Sequence, residues 1–327
     1  MRIHESLAAI EPTSYPKPVL ALGNFDGVHL GHQNIFRHVV SRADEIGGTP
    51  MVFTFDCHPL QVLAPERAPL VLTTNAQKRS LISALGVRVG LWIPFTEQFA
   101  RQKPLAFIRD VLQNGIGVHE LVVGYDFRFG HCRAGNVSLL QQQAAAYGYE
   151  VTVIPAVKLG STVVSSSTVR DMLQEGQVEE AARLLGRDYV LAGSVVEGFQ
   201  RGAKLGFPTA NVRVGHALVP RVGVYAVRVE WQGQHYPGVA NVGHNPTFGN
   251  ASLSVEVHLL DFAGDLYGAQ LGVAFVARIR DERKFASVDE LAAQIACDVQ
   301  QARHLHARWH RPAGQDSRPQ GRRQRRG

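Results

Sequence analysis

Between residue 18 and about residue 155, short apolar runs alternate with stretches whose apolar positions recur every three or four residues. The runs at 19–22, 51–55, 87–93, 121–123 and 151–154 predict strands, and the periodic stretches near 33–46, 76–85, 104–113 and 137–147 predict helices. In the first of these helices Ile35, Phe36, Val39, Val40, Ala43 and Ile46 make one buried stripe. Strand and helix in alternation imply a parallel sheet with right-handed crossovers and helices on both faces, whose ligands bind beyond the carboxyl ends of the strands.

The pattern changes after a polar turn and short helix at 175–188, where Gly186 suits a C-cap. From Tyr189 the period falls to two, with strands expected at 190–196, 223–231, 235–242, 253–260 and 271–279. Many short strands without helices between them imply an antiparallel barrel or sandwich. A last helix near 287–309 places Val288, Leu291, Ile295 and Val299 on one face, which should pack on the barrel. The expected domains are 1–186, 187–310 and a tail, 311–327.

Charge changes this picture little. The chain of 327 residues carries a formal +6, but the last 17 residues hold six arginines against Asp316, which leaves about +1 for the rest. A tail of Arg, Gln, Gly and Pro buries too little to order itself, and its affinity for RNA would be salt-sensitive and unspecific. Deleting it would test a nucleic-acid function, the reading from a different class. Cys57, Cys132 and Cys297 are odd in number and lack ligand spacing, so they read as reduced thiols. No apolar run approaches the ~20 residues of a membrane span. The first residues also lack a basic segment followed by an apolar one. Both features point to the cytoplasm and to no membrane partner.

The polar signatures of the first half all fall at strand ends. The first is GNFDGVHLGH, 23–32, between a strand and a helix. Unpaired N–H groups and the positive end of a helix dipole suit a phosphate there, and His29 and His32 add donors. The pattern is neither a P-loop nor a dinucleotide fingerprint. The second is TFDCHP, 54–59, where His58 also reads as a simple turn residue. The third, GYDFRFGHCRAGN at 124–136, alternates aromatic with polar residues. The fourth, SSSTVRDML at 165–173, has residues that cap helices in any case, followed by Arg170.

The H-x-G-H element resembles the signature of the nucleotidyltransferase superfamily, and its context resembles the bacterial FAD synthetase family. That resemblance implies a Rossmann-like nucleotidyltransferase domain that moves AMP from ATP onto FMN. Gly23, Asn24, Phe25, Asp26, His29, His32, His58, Ser166, Ser167, Thr168 and Arg170 would then bind ATP, with His29 and His32 catalytic. Arg170 would offer a fork for two phosphate oxygens. Gly124, Asp126 and Phe127 would bind flavin. Cys57 stands where that family commonly has proline, and Asn136 where it usually has aspartate.

In the second half GSVVEGFQRGAKLGFPTAN at 193–211, GVANVGHNPTFG at 238–249 and SVEVHLLDFAGDLYG at 254–268 resemble riboflavin kinase. This implies that Glu256 is the base for the riboflavin 5′-hydroxyl, and that Gly198, Lys204, Gly206, Thr209 and Asn211 bind ATP. Thr209 and Asn211 would also meet Mg²⁺. Alternation alone leaves open that Glu256 is an outward, solvated side chain. Ala203 stands where that family often has arginine. The combined expectation is a bifunctional enzyme with riboflavin, FMN, FAD and ATP as ligands. It would hold no tight organic cofactor and bind no specific nucleic acid, with room for weak self-association. A monofunctional adenylyltransferase with a flavin-binding barrel is the alternative.

Overall fold

The computed structural model describes residues 1–197, 206–244 and 253–309. Gly198, Ala203, Lys204 and the basic tail therefore lie outside the described residues. By backbone contacts the chain divides into two compact units: Met1–Ala192 with Val214–Arg221, and Gly193–Arg213 with the chain from Val222 onward.

In the first unit β1 (Arg2–His4), β2 (Pro18–Leu22), β3 (Thr49–Phe55), β4 (Val89–Ile93), β5 (Glu120–Gly124) and β8 (Glu150–Ile154) form one sheet. Their order is β1-β4-β3-β2-β5-β8, and every pairing is parallel. Two small ribbons join β6 (Arg128–Phe129) to β7 (Gly135–Asn136) and β9 (Lys158–Leu159) to β10 (Thr162–Val163). The helices are α1 (Leu30–Ile46), α2 (Pro59–Leu63), α3 (Asn75–Ala84), α4 (Glu97–Ala100), α5 (Pro104–Ala106) with a π-helical run Phe107–Ile116, α6 (Val137–Tyr147), α7 (Ser166–Glu175) and α8 (Val178–Leu185).

Two cores flank this sheet because neighbouring strand residues point to opposite faces. Val19 and Ala21 of β2 join Ile35, Phe36 and Val39 of α1 on one side, while Leu20 and Leu22 join Ile108 and Leu112 on the other. Crossovers run one way from β2 through β3 to β4 and the other way through β5 to β8. A switch point therefore lies between β2 and β5, with the 23–32 turn at its carboxyl end.

A closed barrel is formed by β11 (Tyr189–Val196, whose first four residues cluster with the sheet unit), β12 (Ala210–Arg213), β13 (Gly223–Trp231), β14 (Gln234–His244), β15 (Leu253–Leu259) and β16 (Gln270–Arg280), followed by α9 (Val288–Trp309). The order is β11-β12-β15-β14-β13-β16. β12 was not among the expected strands, because four residues after a Pro-Thr pair are too few to show a period. The stripe expected on α9 is also corrected. Val288 is 64% exposed, while the expected Val299 packs on the barrel together with Ala302 and Leu305. Its buried Asp298 pairs with Arg280, Oδ2 lying 2.7 Å from Nη2.

Candidate active sites

The turn after β2 becomes a site because His29 ends it as the N-cap of α1. Its Nδ1 accepts from the backbone N–H of His32 at 3.3 Å. The two imidazoles stack, with centroids 3.6 Å apart and planes inclined by 20°. His29 is buried, and desolvation pushes its pKa down to about 4 despite the opposing pull of Asp26. Burial also holds His32 well below the usual imidazole range, and His29 adds to that effect. Both rings are therefore neutral near pH 7. Among the described residues His32 Nδ1 is buried without a hydrogen-bond partner.

Asp26 gathers the surrounding elements. Its Oδ1 accepts from the N–H groups of Leu72 and Thr73, each at 3.0 Å, and from Thr73 Oγ1 at 3.1 Å. Its Oδ2 meets Arg170 Nη2 at 2.5 Å, and its carbonyl accepts from Ser166 Oγ at 2.9 Å. The N-termini of α1 and α7 thus meet at one residue. Three expectations change here. The Asp26 carboxylate is committed to protein partners, not open to a nucleotide. Arg170 does not present a free fork, since its Nε also donates to Leu70 O at 2.8 Å. Phe25 turns its ring into the core against Phe36 and His32, 4.6 and 5.2 Å between centroids, so only its backbone faces the turn.

His58 caps α2, its Nδ1 accepting from the Leu60 N–H at 3.2 Å, and its pKa is lowered by burial and then by Arg170. It lines a cleft of about 130 Å³ with Asn24, Asp26, Asp56, Cys57 and Lys78. At α7 the cap is Ser165, which accepts from the Thr168 N–H at 3.1 Å. Thr168 Oγ1 donates to Val163 O at 3.1 Å, and Ser167 is exposed. The third loop is held by contacts of its own. Phe127 stacks on Phe129 at 5.7 Å, Asp126 is exposed, and the Phe127 N–H closes a turn on Gly124 O. Asn136 caps α6 by accepting from the Leu139 N–H at 2.9 Å, a task aspartate performs equally well.

Lys78 was missed by sequence reasoning. It is 5% exposed, and its ammonium donates to Asn24 O at 3.3 Å, Thr54 Oγ1 at 3.3 Å and Phe55 O at 2.9 Å. It fastens the chain beyond β2 to the end of β3, and burial lowers its pKa to about 8. The only signal in the sequence was a lysine one turn into a helix whose inner face is otherwise apolar.

In the barrel, strand register brings polar residues together. Asn211 of β12 pairs with Glu256 of β15, and Glu256 pairs on its other side with Asn241 of β14. Cross-strand partners share a face, so the three form a half-buried row opposite the buried Val255, Val257 and Ala240. Thr209 lies two residues before Asn211 and is also half-buried, while Gly206 has a φ of 83°. Asn241 was not singled out, although it sits inside a motif that was.

A parallel-sheet domain of the nucleotidyltransferase type followed by a closed six-stranded barrel defines the class. A family model for FAD synthetase matches residues 11–168 and one for riboflavin kinase matches residues 185–306. The chain is 41% identical over 290 residues to the bifunctional riboflavin kinase/FMN adenylyltransferase of Pseudomonas fluorescens, spanning 88% of this chain and 93% of that protein. The proteins of that description from Escherichia coli K12 and Bacillus subtilis 168 are each 40% identical, spanning 88% of this chain and 92% of theirs. The chain belongs to the family of bifunctional riboflavin kinase/FMN adenylyltransferases. A crystal structure described as a macrolide-efflux protein from Streptococcus pneumoniae superposes with a TM-score of 0.83 at 32% identity, over 92% of this chain and 98% of that one. Among the described residues of this chain no helix is long and apolar enough to cross a membrane.

Proposed function

We propose that the chain makes FAD in two ATP-dependent steps at two sites. In the barrel, the riboflavin 5′-oxygen attacks the γ-phosphorus of ATP, giving FMN and ADP, and Glu256 takes the hydroxyl proton. In the sheet domain, a phosphate oxygen of FMN attacks the α-phosphorus of a second ATP, giving FAD and pyrophosphate. Residues 1–186 carry the adenylyltransferase motifs and 187–310 those of the kinase. The observation that carries this reading is the stacked neutral pair His29 and His32 at the helix N-terminus beyond β2. A neutral ring whose Nδ1 accepts keeps its proton on Nε2, so His29 can donate to an α-phosphate oxygen as charge builds there.

Ser167 and the first N–H groups of α7 supply further phosphate donors at a second helix N-terminus. Asp126, exposed beyond β5, is placed for flavin polar groups, and Phe127 for its ring system. In the barrel, Thr209 and Asn211 offer neutral oxygens beside the Glu256 carboxylate, a hard-donor set that suits Mg²⁺. Among the described residues no group of three His, Cys, Asp or Glu could hold a metal alone. An ion held beside these oxygens would be shared with nucleotide phosphates. When bound, it neutralises charge on the triphosphate; Glu256 orients the hydroxyl and accepts its proton. Flavins are substrate and product, not resident cofactors. Three free thiols, two of them exposed, and the need for ATP fit the cytoplasm.

Glu256→Gln keeps the side chain's shape and removes the base. FMN formation from riboflavin should fall by about 100-fold or more, while FAD formation from supplied FMN continues. Equal loss of both activities, followed by chromatography of the products, would refute separate sites.

A further inference from the structure

The turn before His29 is held in a conformation that its side chains disfavour. Phe25, Gly27 and Val28 have φ values of 52°, 82° and 42°, and a positive φ is rare for a β-branched residue. The carbonyls show what holds it. Arg187 follows α8 directly, and its Nη2 donates to Gly27 O at 2.7 Å while Nη1 donates to Val28 O and Leu185 O, each at 3.2 Å. Gln33 Nε2 supports two of these, reaching Val28 O at 3.0 Å and Leu185 O at 2.8 Å. Among the described residues, only Arg187 donates to Gly27 O.

This guanidinium is largely buried, and desolvation lowers its pKa to about 10. No carboxylate among the described residues pairs with it. A desolvated cation without an acidic partner is a poor device for stability alone, and its charge opposes protonation of His29. Planar trans peptides carry the constraint onward: a Val28 carbonyl turned to Arg187 sends the His29 N–H the opposite way and fixes where the His29 ring begins. Gly186, with a φ of 70°, packs so closely that a Cβ there would lie 2.8 Å from Leu30 Cδ2, which seats the 185–187 segment against α1.

We infer that Arg187 is a positioning residue of the adenylylation site, clamping the Gly27 and Val28 carbonyls so that His29 meets the α-phosphate correctly. The inference rests on the adenylyltransferase reading above. It also crosses the family boundaries: Arg187 lies inside the riboflavin kinase match at 185–306 and outside the FAD synthetase match at 11–168. Its bonds nevertheless go to residues 27, 28 and 185 of the sheet unit.

The test uses the full chain with Arg187→Met and Arg187→Lys, measuring FAD formation from FMN and FMN formation from riboflavin on the same preparations. Misplacing a reacting group by about 1 Å costs about 10²-fold. The Met variant should lose that much kcat for FAD formation, with the KM for ATP changed only a few-fold and riboflavin phosphorylation unchanged. The Lys variant should fall between. Added guanidinium ion should restore part of the Met variant's rate, and the His29 ring should titrate at higher pH by NMR. Unchanged kcat, a loss confined to KM, or equal loss of both activities without rescue would overturn the inference. A wild-type chain that phosphorylates riboflavin but forms no FAD would overturn the adenylyltransferase reading and this inference with it.

Discussion

A buried neutral imidazole is a weak base but a good donor, and the cap it makes decides which nitrogen donates. Because His29 Nδ1 accepts from His32, the proton sits on Nε2. The same burial makes a stability prediction. The folded-state pKa is about 4 against an ordinary 6.5, so on acidification the unfolded chain takes up this proton first. The contribution is fully present above pH 6.5 and is lost as pH falls from there toward 4, amounting to about 3 kcal/mol across that window. His32 acts in the same direction. His29→Asn keeps a capping acceptor, and its urea unfolding between pH 7 and pH 4 should show a shallower fall in stability than the parent. Parallel curves would mean that His29 is solvated. The two histidines were legible in the sequence because their spacing alone puts them on one helix end. The commitments of Phe25 and Asp26 were not legible, because the partners of Asp26 lie 46, 47 and 144 residues away.

At the scale of elements, the site is a junction between two helix N-termini and two strand ends, tied by side chains that bond backbone. Lys78 joins the ends of β2 and β3, and Asp26 joins the α1 turn to the segment at 72–73 and to α7. Removing one partner of a buried ion pair strands the other, at about 3 kcal/mol or more. The Asp26 and Arg170 side chains are only 8% and 12% exposed. Asp26→Asn should therefore lower the stability of the sheet unit by about that amount and leave the barrel's unfolding transition where it was. Calorimetry resolving two transitions, with both displaced equally, would refute this. The longer strands and helices were legible because each shows its period, whereas β1, with three residues, was not expected. β12 has four residues and was not, and with it the Asn211 to Glu256 pairing went unseen.

A division was visible in the sequence as a change of hydrophobic period near residue 186, whereas the compact units divide after Ala192. The detail that 187–192 and 214–221 pack with the sheet unit was not, since it depends on contacts such as Tyr189 Oη donating to Leu218 O at 2.6 Å across 29 residues. If the two activities sit at separate sites, one in each unit, FMN is the product of one and the substrate of the other. A chain with one dead site should then cooperate with a chain lacking the other. On the proposed assignment, Glu256→Gln removes the kinase base and His32→Asn removes a donor to the adenylylation transition state, worth about 10²- to 10³-fold. Neither variant alone should turn riboflavin into FAD at an appreciable rate. An equimolar mixture should do so after a lag in which FMN accumulates in solution, and added FMN should abolish that lag. The time courses of FMN and FAD, followed by chromatography, decide the matter. A mixture that accumulates FMN but makes no FAD would mean that the adenylylation site of the Glu256→Gln chain is also damaged, and that the two activities are not separable in the way the fold implies.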